Sequence, residues 1–257
     1  MIIRDQYIAY MTIVRKEVTR VFRIWPQTLF PPIITQTLYF LIFGKFIGSQ
    51  IDDIQGVGYM AFIIPGLVMM AVINSSFMNV VGSFFSAKFQ RSIEEILVSS
   101  SSNPVIIAGY VTGGVVRGII VGFLVFLVSI FFTQPQIYHL GIVFAFIFLT
   151  AIVFALGGLL NAIFATKFDD ISIFPTFILT PLIYLGGVFY SISNLPPFWQ
   201  KLSKFNPVLY MVNGFRYGFY GFSDVNVLLS FVILAALAIV LTIVNLSLLA
   251  RGTGLKA

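Results

Sequence analysis

The chain has 257 residues, of which 59% are hydrophobic and 9% charged, with a formal net charge of +6. That balance excludes a soluble enzyme and a nucleic-acid-binding domain, since nearly all of the chain has to sit in a bilayer and no clustered basic face is present. The absence of cysteine excludes disulfides and thiolate metal sites, and too little polar sequence remains for a separate folded unit, so residues 1–257 are expected to form one all-α membrane domain.

Residues 4–25 place Tyr7, Tyr10, Met11, Val14, Val18, Val21, Phe22 and Trp25 on one side of a helix and Arg4, Arg15, Lys16, Thr19, Arg20 and Arg23 on the other. Residues 1–25 are therefore expected to form an interfacial helix that attracts anionic membrane lipid, the alternative being a solvated helix leading into a span. No small-residue cleavage pattern follows the first apolar run, so no cleaved leader is expected.

Six spans are predicted, at Pro26–Phe46, Tyr59–Val81, Val105–Phe132, Leu140–Ala165, Ile171–Ser191 and Val227–Ala250. With the N-terminus cytoplasmic, Arg4, Arg15, Lys16, Arg20, Arg23, Lys88, Arg91, Lys167, Arg251 and Lys256 fall inside and only Lys45, Lys201, Lys204 and Arg216 outside. That asymmetry predicts that both termini are cytoplasmic, with residues 251–257 as a short tail.

Between spans 2 and 3 lies SFFSAKFQRSIEEILVSSSS, from Ser83, too short and too charged to cross. Phe85, Phe89, Ile93, Ile96 and Leu97 share one side of a continuous predicted helix, with Lys88, Gln90, Arg91, Glu94 and Glu95 around them. Glu94 and Glu95 then fall in its C-terminal half, where the helix dipole disfavours acids. Either an Arg91–Glu95 pair at helical spacing or a partner protein compensates them.

Arg117 is the basic residue inside a span, on a predicted helix long enough for its head to reach the interface; a substrate or gating role is the alternative. Gly109, Gly113, Gly114, Gly118 and Gly122 on the same helix permit close helix approach, within the chain or across a dimer seam.

The fifth predicted span has 21 uncharged residues, about 31 Å at helical rise. Asp169 and Asp170 are candidate caps at its start, and Pro175 and Pro181 should bend it and leave carbonyls for neighbouring protein to satisfy. Beyond it, Asn194 before Pro196 and Pro197, and Asn206 before Pro207, read as two helix starts. The resulting short helices are predicted near Pro196–Ser203, with Phe198 and Trp199, and Pro207–Tyr220, with Tyr210, Phe215, Tyr217, Phe219 and Tyr220, ending at Gly221. Lys201, Lys204 and Arg216 keep this hairpin from crossing, so it is expected to dip into the membrane or lie on it, with its rings suited to the headgroup region.

No GxxxxGK[ST] phosphate loop and no HExxH occur, and His139 is the single histidine. Spans free of carboxylates argue against proton or sodium coupling.

The basic N-terminal helix, the six apolar runs, FQRSIEE after the second, and FDDIS…PTFILTPLIYLGGVFYS…LPPFW…NPVLYMVNGFRYG before the last resemble, over the whole chain, the permease subunits of ABC-2 type exporters of bacterial inner membranes. The resemblance implies a half-transporter that pairs with a second copy of itself and with separate ATPase subunits, which bind ATP and Mg; no cofactor is expected on this chain. It makes Phe84–Leu97 the cytoplasmic coupling helix, with Phe85, Lys88, Phe89, Arg91, Glu94 and Glu95 as candidate contacts to the ATPase. The extracytoplasmic hairpin then closes the path, with Pro196, Pro197, Phe198, Trp199, Asn206, Pro207, Tyr210 and Arg216 as candidate gate residues. Tyr39, Arg117, Tyr184 and Tyr190 are candidate pathway-lining residues. The substrate expected is amphiphilic: a lipid, a lipid-linked glycan or a hydrophobic drug. An ATP-independent channel or facilitator is the alternative, and an intramembrane enzyme using His139 a third.

Overall fold

The computed structural model describes residues 2–99 and 101–254; Lys256, the Leu97 side chain and Ser100 lie outside what is described. Among the described residues the protein is helical, with no strand. Five helices are long and apolar enough to cross a membrane.

Helix α1 (Ile2–Arg23) stops at Ile24, and α2 (Trp25–Tyr39) restarts with Pro26 in its first turn, continuing as a π-helical segment, Phe40–Ile47, and a 3-10 turn, Gly48–Gln50. Helix α3 (Tyr59–Phe89) is apolar on every side and correspondingly buried, so the others pack around it. Then come α4 (Ser92–Val98), α5 (Asn103–Ile130) and α6 (Leu140–Phe164). Helices α5 and α6 lie against α3 through glycine: a Cβ on Gly158 would stand 2.5 Å from the Phe77 carbonyl, and one on Gly114 2.6 Å from Val80. The glycine row of α5 is thus spent on packing within the chain, against Ile13 and Glu17 of α1 and Val72, Ser76 and Val80 of α3.

The fifth predicted span is corrected. Instead of one helix over Ile171–Ser191, the chain forms α7 (Asp170–Phe174), a π-helical turn over Pro175–Leu179, and α8 (Thr180–Tyr184), and leaves helical geometry at Leu185. Three five-residue pieces give roughly 22 Å, short of the roughly 30 Å of hydrocarbon. The two prolines remove donors, and Gly187 at φ 75° turns the chain where a Cβ would be strained. The segment still runs the length of α3: Phe168 meets Phe85, Phe174 stacks on Phe77, and the Phe189 carbonyl accepts from the Tyr59 hydroxyl. Its irregular end at Gly186, Gly187 and Val188 is buried against the bundle, whereas Ile173, Phe177 and Ile178 face outward.

The hairpin consists of α9 (Pro197–Ser203) and α10 (Pro207–Tyr220), which closes at Gly221 in the left-handed region. Helix α11 (Val227–Arg251) leaves Leu228, Phe231, Val232, Ile239, Val240 and Ile243 exposed, as a lipid-facing helix would. Of the two predicted caps, Asn206 accepts from Val208 N–H at 3.0 Å. Asn194 lies in a 3-10 turn, and Pro196 precedes α9 without a side-chain cap.

Candidate functional site

At the α4 end of the bundle the continuous helix predicted through Phe84–Leu97 breaks. Helix α3 ends at Phe89, Arg91 adopts φ 60°, and α4 starts at Ser92. The break reverses the electrostatics read from sequence: Glu94 and Glu95 occupy the first turn of α4, where the dipole favours acids. It also removes the i,i+4 geometry for Arg91 and Glu95, and neither makes an ion pair among the described residues. Arg91, Glu94 and Glu95 are exposed, whereas Ile93 is buried and pins α4 to the bundle.

The other three candidate contacts behave differently. Lys88 turns inward and donates to the carbonyls of Ile163 at 2.8 Å and Ala165 at 2.7 Å, capping α6. Phe85 is buried, while Phe89 is 60% exposed. Both rings meet the edge of Phe168, with centroids at 5.0 Å and 4.8 Å. Asp170 accepts from the N–H and hydroxyl of Thr166, both at 2.8 Å, and from Lys167 N–H at 2.9 Å. These bonds hold its carboxyl below the usual aspartate value, the Thr166 N–H contributing most. Asp170 therefore ties back the preceding turn instead of capping the helix ahead of it, and Asp169 caps nothing.

Helix α1 carries a residue that its sequence pattern does not single out. Glu17 is fully buried, accepts from Ser83 Oγ at 2.6 Å and pairs with Arg20 at 3.0 Å. Arg20 also donates to the Asn79 carbonyl and Oδ1. The signal that could have found it is a lone acid on the same helical face as Ile13 and Val21, inside a basic run. Exposed Tyr7, Ile8, Met11 and Phe22 give α1 a second apolar side, turned outward beside Arg15 and Thr19.

At the other end, α10 is not a surface helix with rings in the headgroups. Tyr210, Phe215, Arg216 and Phe219 are buried, which corrects that expectation. A Cβ on Gly214 would collide with Phe146, and Gly218 and Gly221 sit against Val143 and Tyr138, so α10 lies beside the first half of α6. Its start, Pro207, shares a cleft with Val153 and Gly157 of α6 and Leu237 and Leu241 of α11, near the midpoints of both helices. Helix α9 carries exposed Phe198 and Trp199, and α10 runs from that midpoint along the first half of α6. Tyr210 donates to the Lys204 carbonyl at 2.8 Å, closing α9.

Arg216 Nη2 donates to the Gly187 carbonyl at 2.7 Å, and the guanidinium stands 3.9 Å from the Phe62 ring centroid. Asp224, which no sequence motif marks, accepts from Ser191 Oγ at 2.6 Å and Ile192 N–H at 3.0 Å. Of the four candidate lining residues, the structure joins two: Tyr39 and Tyr184 are hydrogen-bonded through their hydroxyls at 2.7 Å, with Phe189 packed on both rings. Tyr190 lies in the following irregular stretch, half-buried. Arg117 is apart from them, at the α1–α2 joint, donating to the Thr28 carbonyl at 3.3 Å.

Residues 8–220 match the family model described as ABC-2 type transporter. The chain is 54% identical over 251 residues, 98% of both chains, to the inner membrane transport permease YadH of Escherichia coli K12. It is 28% identical over 191 residues, 70% of this chain and 68% of the relative, to nodulation protein J of Sinorhizobium fredii. With nodulation protein J of Rhizobium leguminosarum bv. viciae the identity is 22% over 215 residues, 83% of each. The matched range contains α4, the kinked α7–α8 segment and the hairpin α9–α10, and with that extent of similarity the chain belongs to the ABC-2 type transporter family, as a transport permease with several membrane-spanning helices.

Proposed function

We propose that this chain is the membrane half of an ATP-driven exporter in a bacterial inner membrane, working as a pair of copies with two separate ATPase subunits that hold ATP and Mg. The observation that carries this reading is α4: a short helix pinned to the bundle by Ile93 while Arg91, Glu94 and Glu95 face outward with no ion-pair partner among the described residues. Acids stabilised by their own helix N-terminus, beside an exposed Arg91 and Phe89, form a mixed surface that a protein partner can cover.

In this reading α4 and both termini are cytoplasmic, in keeping with the basic residues gathered at that end. From Ile171 to Ser191 the chain makes the fifth of six crossings, with Asp170 at its cytoplasmic edge, and the hairpin α9–α10 closes the outward end. ATP binding draws the ATPase subunits together, α4 moves with them, and the bundle tilts against its mate. The cargo is amphiphilic; lipid, lipid-linked glycan and hydrophobic drug all meet the description.

The test is co-purification with the ATPase subunit in nanodiscs and measurement of stimulated hydrolysis, for the unsubstituted chain and for Glu94→Ala with Glu95→Ala. The expected result is a stoichiometric complex whose hydrolysis falls several-fold in the double variant. Unchanged complex formation and unchanged stimulation would remove α4 from the coupling role. Solute movement by the chain alone would favour a facilitator.

A further inference from the structure

Resting on the exporter reading above, we infer that Lys88 is a positioning residue that makes the end of α3 and the α6–α7 turn move as one piece, passing displacement of α4 to the kinked α7–α8 segment.

The contacts are local and mutually consistent. Lys88 lies one residue before the end of α3, yet its ammonium group is spent on two carbonyls at the end of another helix, Ile163 and Ala165, at 2.8 Å and 2.7 Å. The last carbonyls of a helix have no donors of their own, and a cation there also meets the negative end of the dipole. Phe168, three residues beyond Ala165, is gripped by Phe85 and Phe89 of α3. The turn cannot flex between these two grips, because Asp170 binds back to Thr166 and Lys167 through three hydrogen bonds.

Beyond the turn the chain is able to bend. Helix α7 is five residues long and gives way at Pro175 to the π-helical turn, so a push on its start is absorbed there as a change of angle and not as a break. Ahead of Lys88 the chain is held firmly: α3 is the most buried of the five long helices. Motion of α4, one left-handed residue beyond α3, therefore reaches α7 through the Lys88 and Phe168 joint. An ammonium expected on the ATPase surface acts inside the chain.

The chain contains no cysteine, so spin labels can be placed without background. In the complex with its ATPase subunit in nanodiscs, labels at Val98→Cys (α4) or Ile173→Cys (α7) are each paired with Leu228→Cys at the far end of α11, and distances are compared without nucleotide and with ATP plus vanadate. Both pairs should shift in the otherwise unsubstituted chain. In Lys88→Met the α4 shift should persist and the α7 shift should be lost, and Lys88→Arg, which can still donate to two carbonyls, should restore it. Phe168→Ala attacks the same joint independently and should also shrink the α7 shift, which covers the case in which Lys88→Met fails to fold. An α7 shift of unchanged size in Lys88→Met or Phe168→Ala, with α4 still moving, overturns the inference. Absence of any α4 shift in the unsubstituted complex would instead strike the exporter reading beneath it.

Discussion

Asn161 Nδ2 donates to the carbonyl of Ile171 at 3.3 Å, and that oxygen is the one Pro175 leaves without its helical donor. The same repair occurs in α3, where Pro65 orphans the Ala61 carbonyl and the Tyr220 hydroxyl, arriving from α10, donates to it at 2.7 Å. Each bend is thereby stitched to another element, and the partner that completes it fixes its place in the bundle. Asn161→Leu keeps the size and removes the donor. The loss should be about 1 kcal/mol, read as a lower unfolding midpoint in nanodiscs, with faster amide exchange confined to α7. An unchanged midpoint would mean that another donor reaches Ile171.

Gly114 gives a second measurable consequence. A Cβ there would stand 2.6 Å from Val80, 3.0 Å from Ala155 and 3.0 Å from the Ser76 carbonyl, while one on Gly141 meets nothing within 4 Å. Gly114→Leu should separate α3 from α5 at a cost of about 3 kcal/mol, seen as loss of monodisperse protein on size-exclusion chromatography. Gly141→Ala should behave as the parent. If Gly114→Leu left the monomer intact but changed self-association, the glycine row would be a seam between copies after all.

Much of this fold is legible in the sequence because its signals are local. Apolar length marks five helices, Asn206-Pro207 and Gly221 bracket α10 to the residue, and the two prolines announce the bend of the fifth span. The hidden part depends on contacts distant in sequence. Nothing local says that Arg91 leaves helical geometry, yet that one residue moves Glu94 and Glu95 from an unfavourable helix end to a favourable one. Burial of α10 is hidden for a related reason: Tyr210, Phe215 and Phe219 suit a headgroup layer as well as a protein interior, and only Gly214 and Gly218, the positions where α6 approaches, separate the two. Lys88 looks like a surface cation because a cation at a helix end ordinarily is one.

Glu17 joins the basic helix to the bundle, and its removal should free that helix. Glu17→Ala takes away the acceptor of Ser83 and the partner of Arg20, a loss of about 2 kcal/mol for charged hydrogen bonds of this kind. Hydrogen exchange should accelerate along α1 with little change in α5 or α6. Glu17→Gln retains an acceptor and should give a smaller effect. Equal acceleration in all three helices would point to general destabilisation in place of a released α1.

The turn before α7 should depend on pH in one direction. Asp170 carries a carboxyl held below the usual aspartate value first by Thr166 N–H, then by the Thr166 hydroxyl and Lys167 N–H. A depressed carboxylate contributes in full above its unfolded value, about 3.9, and that contribution is lost as pH falls through the lower folded value. Asp170→Asn removes the charge at every pH. The unfolding midpoints of parent and variant should therefore differ at neutral pH and converge as the solution is acidified past the unfolded value and through the depressed folded one, while other carboxylates titrate alike in both. A gap that stays constant across that range would mean that the shape of the side chain, and not its charge, holds the turn.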